Sequence, residues 1–112
     1  MKKVMAKVAI KGRPAKAELP TETARPGYLL TSDYHPGRVF AVVRNLKFDG
    51  RPSGYWNCME QVTGYGLHEV RRTTLKATAQ AALVYLAATS PEQLDEYLGK
   101  IAQRRALQFL TA

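Results

Sequence analysis

GYWNCMEQVTGYGLHEVRRTTLKATAQAALVYLA, residues 54–87, is the stretch that decides the fold class. Its first part alternates side chains with a period of two on either side of the turn-forming TGYG at residues 63–66, which is typical of two antiparallel strands. Its last part is rich in alanine and leucine and follows a pair of threonines, which indicates a capped helix. The stretch therefore predicts a sheet that is completed before a helix begins.

Upstream of this stretch the pattern predicts further strands. With the two already described, the predicted strands cover residues 3–11, 28–33, 38–48, 55–62 and 67–72. In the strand at 38–48, Arg44 interrupts the face that carries Phe40 and Val42, so the sequence leaves open which face points to the core. Residues 12–27 contain three prolines and predict an extended surface loop.

Downstream, two helices finish the chain. Thr73 or Thr74 is expected to cap the first, and Ser90 with Gln93 predicts a capping box at the start of the second. The predicted architecture is α+β, a single domain over residues 1–112: an antiparallel meander sheet of four to five strands with two C-terminal helices packed on one face.

The end of the second helix carries apolar residues off its main apolar stripe. Leu107 and Leu110 lie off this stripe, and Phe109 adds apolar area in the last turn. Either the helix bends near Arg104 and Arg105, or its last turns bury a second surface, and we expect these three residues to form a homodimer interface.

The composition excludes several classes of protein. Apolar residues make up 46% of the 112 residues and charged residues 23%, as in globular domains, and no apolar run reaches the roughly 20 residues that span a bilayer. The single cysteine excludes an internal disulfide. We therefore expect a cytoplasmic protein that has no membrane partner.

Positive charge is concentrated near the N-terminus. The formal net charge is +8, and residues 1–27 hold seven basic residues against two acidic ones. Such an arm attracts polyanions, because the neutralisation of phosphates releases condensed counterions. The alternative is that the charge only keeps the surface soluble.

Catalytic and metal-binding patterns are weak. Cys58 and His68 lie on neighbouring predicted strands, but a buried cysteine is the more common situation and no acid is placed to orient the histidine. His35 falls in a Pro-Gly turn and is expected at the surface. No phosphate-binding loop or dinucleotide fingerprint is present. The sequence predicts a protein that is not an enzyme and has no metal and no cofactor.

Aromatic residues interleaved with arginines favour nucleic-acid binding over catalysis, because aromatic rings stack on unpaired bases and arginines pair with phosphates. Trp56 is the exception, since we expect it to pack in the core. The predicted nucleic-acid-binding residues are Lys3, Lys7, Lys11, Arg13, Lys16, Arg44, Arg51, Tyr55, Tyr65, Arg71 and Arg72.

The leading hypothesis is a small nucleic-acid-binding protein, for which the sequence does not distinguish DNA from RNA. A second hypothesis is a compact interaction or inhibitor protein, of the kind that phages and mobile elements encode, which binds an acidic surface of another protein. A third is a structural assembly subunit. The order of strands followed by helices is shared with several classes of nucleic-acid-binding module, but the chain has none of their signature motifs, so the sequence assigns no family.

Overall fold

The fold is described by a computed structural model of residues 1–9, 22–46 and 51–111, without the side chains of Glu22, His68 and residues 107–111. Within these residues, four strands pair antiparallel in chain order to form one sheet, and two helices pack against it. This confirms the predicted α+β meander with two C-terminal helices. The elements are β1 Lys3–Ala9, β2 Glu22–Leu30, β3 Phe40–Leu46, β4 Pro52–Glu60, a 3-10 helix His68–Val70, α1 Leu75–Ala88 and α2 Pro91–Thr111.

Residues 67–72 do not form the predicted strand. Two isolated antiparallel bridges, Trp56 with Arg72 and Met59 with Gly66, hold the segment beside β4, and a 3-10 turn lies between them. Leu67 and Val70 are each 1% exposed, and residues three apart share one side of a 3-10 helix but lie on opposite sides of a strand. A 3-10 turn can therefore bury both side chains on one side, whereas a strand cannot.

The predicted loop at residues 12–27 ends earlier than expected, because β2 begins at Glu22. Pro26 lies within this strand, opposite Met5. Among the described residues, the part of β2 before Tyr28 pairs with β1 alone, and proline is compatible with an edge that carries no ladder. Residues 12–21 of the predicted loop lie outside the described residues.

Both faces of β3 are buried, which resolves the ambiguity that Arg44 created. Phe40 and Val42 enter the main core beneath the helices, whereas Ala41 and Val43 enter a second core on the opposite face; all four are fully buried. The second core is completed by side chains of β1 and β4, namely Val4, Ala6, Val8 and Met59. The hairpin of β1 and β2 therefore covers the sheet face that the helices leave open.

Hydrogen bonds hold β1 against the turn that follows β4, and we call this set of contacts the β1 clasp. The Ala9 amide donates to the Gly64 carbonyl at 2.9 Å, and the Lys7 amide donates to Gln61 Oε1 at 2.8 Å. In return, Gln61 Nε2 donates to the Lys7 carbonyl at 3.1 Å. The sheet consequently curls until its first strand meets the end of its last.

Gly27 allows this curl, because at this position β2 lies directly against the second core. A Cβ at this position would be 2.8 Å from Val43 Cγ1 and 3.2 Å from the Ala6 Cβ. Any larger side chain would force the hairpin away from the second core.

A buried carboxylate organises the turn of the clasp. Glu60 is fully buried, and its oxygens accept hydrogen bonds from the Val62 amide at 2.8 Å, the Thr63 amide at 3.0 Å and Thr63 Oγ1 at 2.8 Å. Arg38 Nη1 lies 3.5 Å from Glu60 Oε2, and the same guanidinium also pairs with Asp95 of α2. Arg38 thus joins this turn to the second helix.

Both helix starts match the sequence prediction. Thr74 is the N-cap of α1, and its hydroxyl accepts from the Ala77 amide at 3.1 Å. At α2, the Gln93 amide donates to Ser90 Oγ at 3.1 Å, and the Ser90 amide donates to Gln93 Oε1 at 2.9 Å. The predicted capping box is confirmed.

His35 is buried rather than at the surface. It is 2% exposed, and Nε2 lies 2.9 Å from the Leu86 carbonyl and 2.8 Å from the Thr89 carbonyl. Both partners are acceptors, so Nε2 carries the ring proton and donates to the last turn of α1. The prediction failed because the carbonyl groups at the end of α1, which require hydrogen-bond donors, lie far along the chain from the turn that contains His35.

Candidate functional site

An aromatic pair lies on the helix-bearing face of the sheet. The rings of Tyr28 in β2 and Trp56 in β4 have centroids 6.3 Å apart at an angle of 50°. The register explains the contact: Tyr28 is opposite Val42, Val42 is opposite Cys58, and Trp56 lies two residues before Cys58. Both aromatic residues are only half-buried, so each offers part of its surface to a ligand. We call the pair the aromatic platform.

Three exposed cations border the platform. Arg44 of β3 is opposite Trp56 on one side, and Arg72 is bridged to Trp56 on the other. Lys3 of β1 is opposite Tyr28. Residues directly opposite each other in antiparallel pairs share a face, so these platform cations, Lys3, Arg44 and Arg72, lie on the same face as the rings.

Arg72 is held in place by the backbone. Its Nη1 donates to the carbonyl of Glu69 at 3.1 Å and to that of Arg71 at 2.7 Å. A guanidinium carries five N–H donors, so these bonds leave donors on its other nitrogens for an anion. A cation fixed in this way loses little side-chain entropy on binding.

Other residues predicted from the sequence lie elsewhere. Tyr55 is 53% exposed but precedes Trp56, so it points to the opposite face of β4. Tyr65 is half-buried against the main core, and the Arg105 guanidinium carbon lies 5.4 Å from its ring centroid. Lys7 belongs to the β1 clasp, where its Nζ lies 3.4 Å from the Val62 carbonyl.

The remaining predicted residues divide into two groups. Arg51 and Arg71 are exposed, the first just before β4 and the second next to Arg72. The others cannot be placed: Lys11, Arg13 and Lys16 lie outside the described residues, as do the side chains of Leu107, Phe109 and Leu110 in α2.

Sequence reasoning missed the platform itself. It assigned Trp56 to the core, where the ring does pack in part, and counted Tyr28 among the aromatic residues near arginines but not among the predicted binding residues. One signal was present, because a charged Arg44 within an apolar strand marks the point where the helix-bearing face emerges from the core. The pairing of Arg44 with Trp56 depends on the register between strands, which the sequence did not establish.

The thiol of Cys58 is inaccessible to solvent. It is fully buried in the main core, and this burial raises its pKa to about 12, so the thiol stays protonated near neutral pH. The side chain of His68, its predicted neighbour, lies outside the description. Within the described ranges, no group of three or more histidines, cysteines, aspartates or glutamates is arranged to hold a metal ion.

No protein-family model matches the chain, and neither a curated protein nor a solved structure matches it significantly. Of the helices in the described ranges, none has the length and apolar character needed to cross a membrane.

Proposed function

We propose that this protein binds single-stranded nucleic acid across the aromatic platform. The observation that carries the proposal is the row of Arg44, Trp56 and Arg72 on three adjacent chain segments, in which a half-buried tryptophan lies between two exposed arginines. Aromatic rings stack on unpaired bases of any sequence, and neighbouring arginines pair with the phosphates between those bases.

The charge of the molecule supports this ligand. The net charge is +8, and the platform cations come from β1, β3 and the segment before α1. The first turns of α2 carry acidic side chains instead, namely Glu92, Asp95 and Glu96. Positive potential on the platform side steers a polyanion towards the rings.

Single strands fit this site better than a duplex does. Tyr28 and Trp56 are half-buried on a sheet, so they do not reach into a groove between paired bases. A splayed base can reach the rings because it is free to leave its own strand. Stacking on bases and pairing with phosphates do not involve the sugar, so DNA and RNA strands are both expected to bind.

The platform cations give the first test. The double variant Arg44→Ala/Arg72→Ala should bind single strands more weakly, and the slope of log affinity against log salt should fall by about 1.4, or roughly 0.7 for each lost phosphate contact. Trp56 is the only tryptophan, so quenching of its fluorescence reports binding directly. The titration uses thymine oligonucleotides of roughly 10 residues, within the usual site sizes.

The matched control is Lys100→Ala/Arg104→Ala, which removes two exposed cations from α2. It should lower the affinity less and leave the salt slope closer to that of the parent protein. Equal effects of the two double variants would show that only net charge matters. Absence of binding by the parent protein at low salt would refute the proposal.

Stacking gives a second, separate prediction. Tyr28→Leu keeps an apolar side chain but removes the ring, and it should weaken binding by about tenfold, because stacking contributes roughly 1 to 3 kcal/mol per base. Tyr34→Leu is the control, since Tyr34 is 62% exposed in the turn between β2 and β3. The same titration checks both variants, and equal affinities would remove Tyr28 from the site.

A further inference from the structure

A groove continues from the platform along α1. It lies between the 3-10 helix and α1, has a volume of about 410 Å³, and is lined by Glu69, Val70, Arg72, Gln80, Val84 and Tyr85 among others. Arg72 belongs to both places, because it is bridged to Trp56 and also lines the groove. A strand bound at the platform therefore has the groove within reach of its neighbouring nucleotide.

The groove wall is suited to a flat apolar ring. Val70 is buried, whereas Val84 is 70% exposed although it is an aliphatic residue on a helix. Tyr85 is half-buried, so part of its side chain lines the groove. A planar base placed here would cover Val84 and lie against Tyr85, which are the contacts that single-strand-binding sites use.

The groove also carries polar groups, among them those of Glu69 and Tyr85. Burial raises the pKa of the Tyr85 phenol, a hydrogen bond with Thr89 opposes this shift, and the negative charge of Glu69 adds a smaller upward effect. Glu69 and Tyr85 line the same groove, and Glu69 is exposed, so its carboxylate is accessible to a ligand there. The groove thus places two acceptor oxygens near an aromatic side chain.

Resting on the proposed function, we infer that this groove takes one unstacked base of the bound strand and prefers guanine. The Watson–Crick edge of guanine presents the N1–H and N2–H donors side by side, which match the two oxygens of the Glu69 carboxylate. Adenine and cytosine present one amino donor beside an unprotonated ring nitrogen, which a carboxylate repels. Thymine and uracil present their one donor between two carbonyl oxygens. Only guanine satisfies both carboxylate oxygens.

The test compares two oligonucleotides of roughly 10 residues. One contains only thymine, and the other has a guanine in place of a central thymine. Fluorescence titration of the full chain should show about tenfold tighter binding of the guanine oligonucleotide, as for a bidentate base contact. An adenine substitution at the same position should give no such gain.

The Glu69→Gln variant tests whether the groove is the part of the protein that recognises guanine. The amide replaces one of the two acceptor oxygens with an NH2 donor group, so the ratio of the two affinities should fall close to one, whatever the change in affinity for thymine alone. Glu92→Gln removes an exposed carboxylate from the start of α2 and should keep the ratio of the parent protein.

The outcomes separate this inference from the proposed function. If neither oligonucleotide binds the parent protein, the proposed function fails. If both bind with equal affinity, the platform is retained and guanine reading is refuted. A guanine preference that survives in Glu69→Gln also refutes the assignment of the groove.

Discussion

Replacement of Gly64 by alanine is expected to lower the free energy of unfolding by about 3 kcal/mol. Gly64 has φ +74°, and in this region an L-residue is disfavoured by roughly 1 to 2 kcal/mol. The added Cβ would also lie 2.8 Å from the Ala9 backbone nitrogen and 3.0 Å from Lys7 Cγ. The Ala9 nitrogen cannot move away without breaking its hydrogen bond to the Gly64 carbonyl, so the β1 clasp opens.

Gly37→Ala separates the two contributions. Gly37 has φ +85°, but its Cβ would meet nothing within 4 Å. This variant should lose only the conformational part, about 1 kcal/mol or slightly more. Urea denaturation of both variants measures the difference, and equal losses would show that the close approach of β1 to the turn contributes nothing to stability.

Glu60→Ala is the second variant for which we expect a large effect, a loss of about 3 kcal/mol. The substitution removes the acceptor for the Val62 and Thr63 amides and for the Thr63 hydroxyl, and it leaves Arg38 without its buried partner. The loss is large because Glu60 is fully buried and the donors that it leaves behind lose their acceptor, whereas Arg38 is partly exposed and keeps its pair with Asp95. Glu60→Gln should lose less, since its amide keeps one acceptor oxygen.

Asp95→Ala is the matched control, because Asp95 pairs with the same Arg38 but its side chain is 61% exposed. Exposed ion pairs contribute little, so this variant should lose less than about 1 kcal/mol. Denaturation curves of the three variants at one pH test the order of their stabilities. If Asp95→Ala destabilises as much as Glu60→Ala, the loss of stability in both variants comes from the ion pairs of Arg38 and not from the buried turn.

Features set by near neighbours were predictable from the sequence. The capping box uses Ser90 and Gln93, three residues apart, and its hydrogen bonds form wherever those residues start a helix. The same holds for Thr74 and for the alternation in β1. The order of the strands followed from such local patterns, apart from the early start of β2 and the segment at 67–72.

Features that depend on distant partners were not predictable. His35 was expected at the surface because a Pro-Gly turn is normally exposed, yet the carbonyls it satisfies lie 51 and 54 residues further along the chain. The aromatic platform depends in the same way on the register that sets Trp56 between Arg44 and Arg72. A slip of one residue in β4 would turn Trp56 to the other face, so composition alone does not locate the site.

The β1 clasp has a consequence for how the chain folds as it is synthesised. The contact between Lys7 and Gln61 spans 54 residues, whereas the pairs of the β1 and β2 hairpin are more local. A contact between such distant residues forms late, because the chain between them must first be ordered. Until β3, β4 and the turn after β4 have left the ribosome, the apolar side of β1 lacks its partners in the second core and is open to association with other chains. Of these four strands, β1 is therefore made before the others and covered after them.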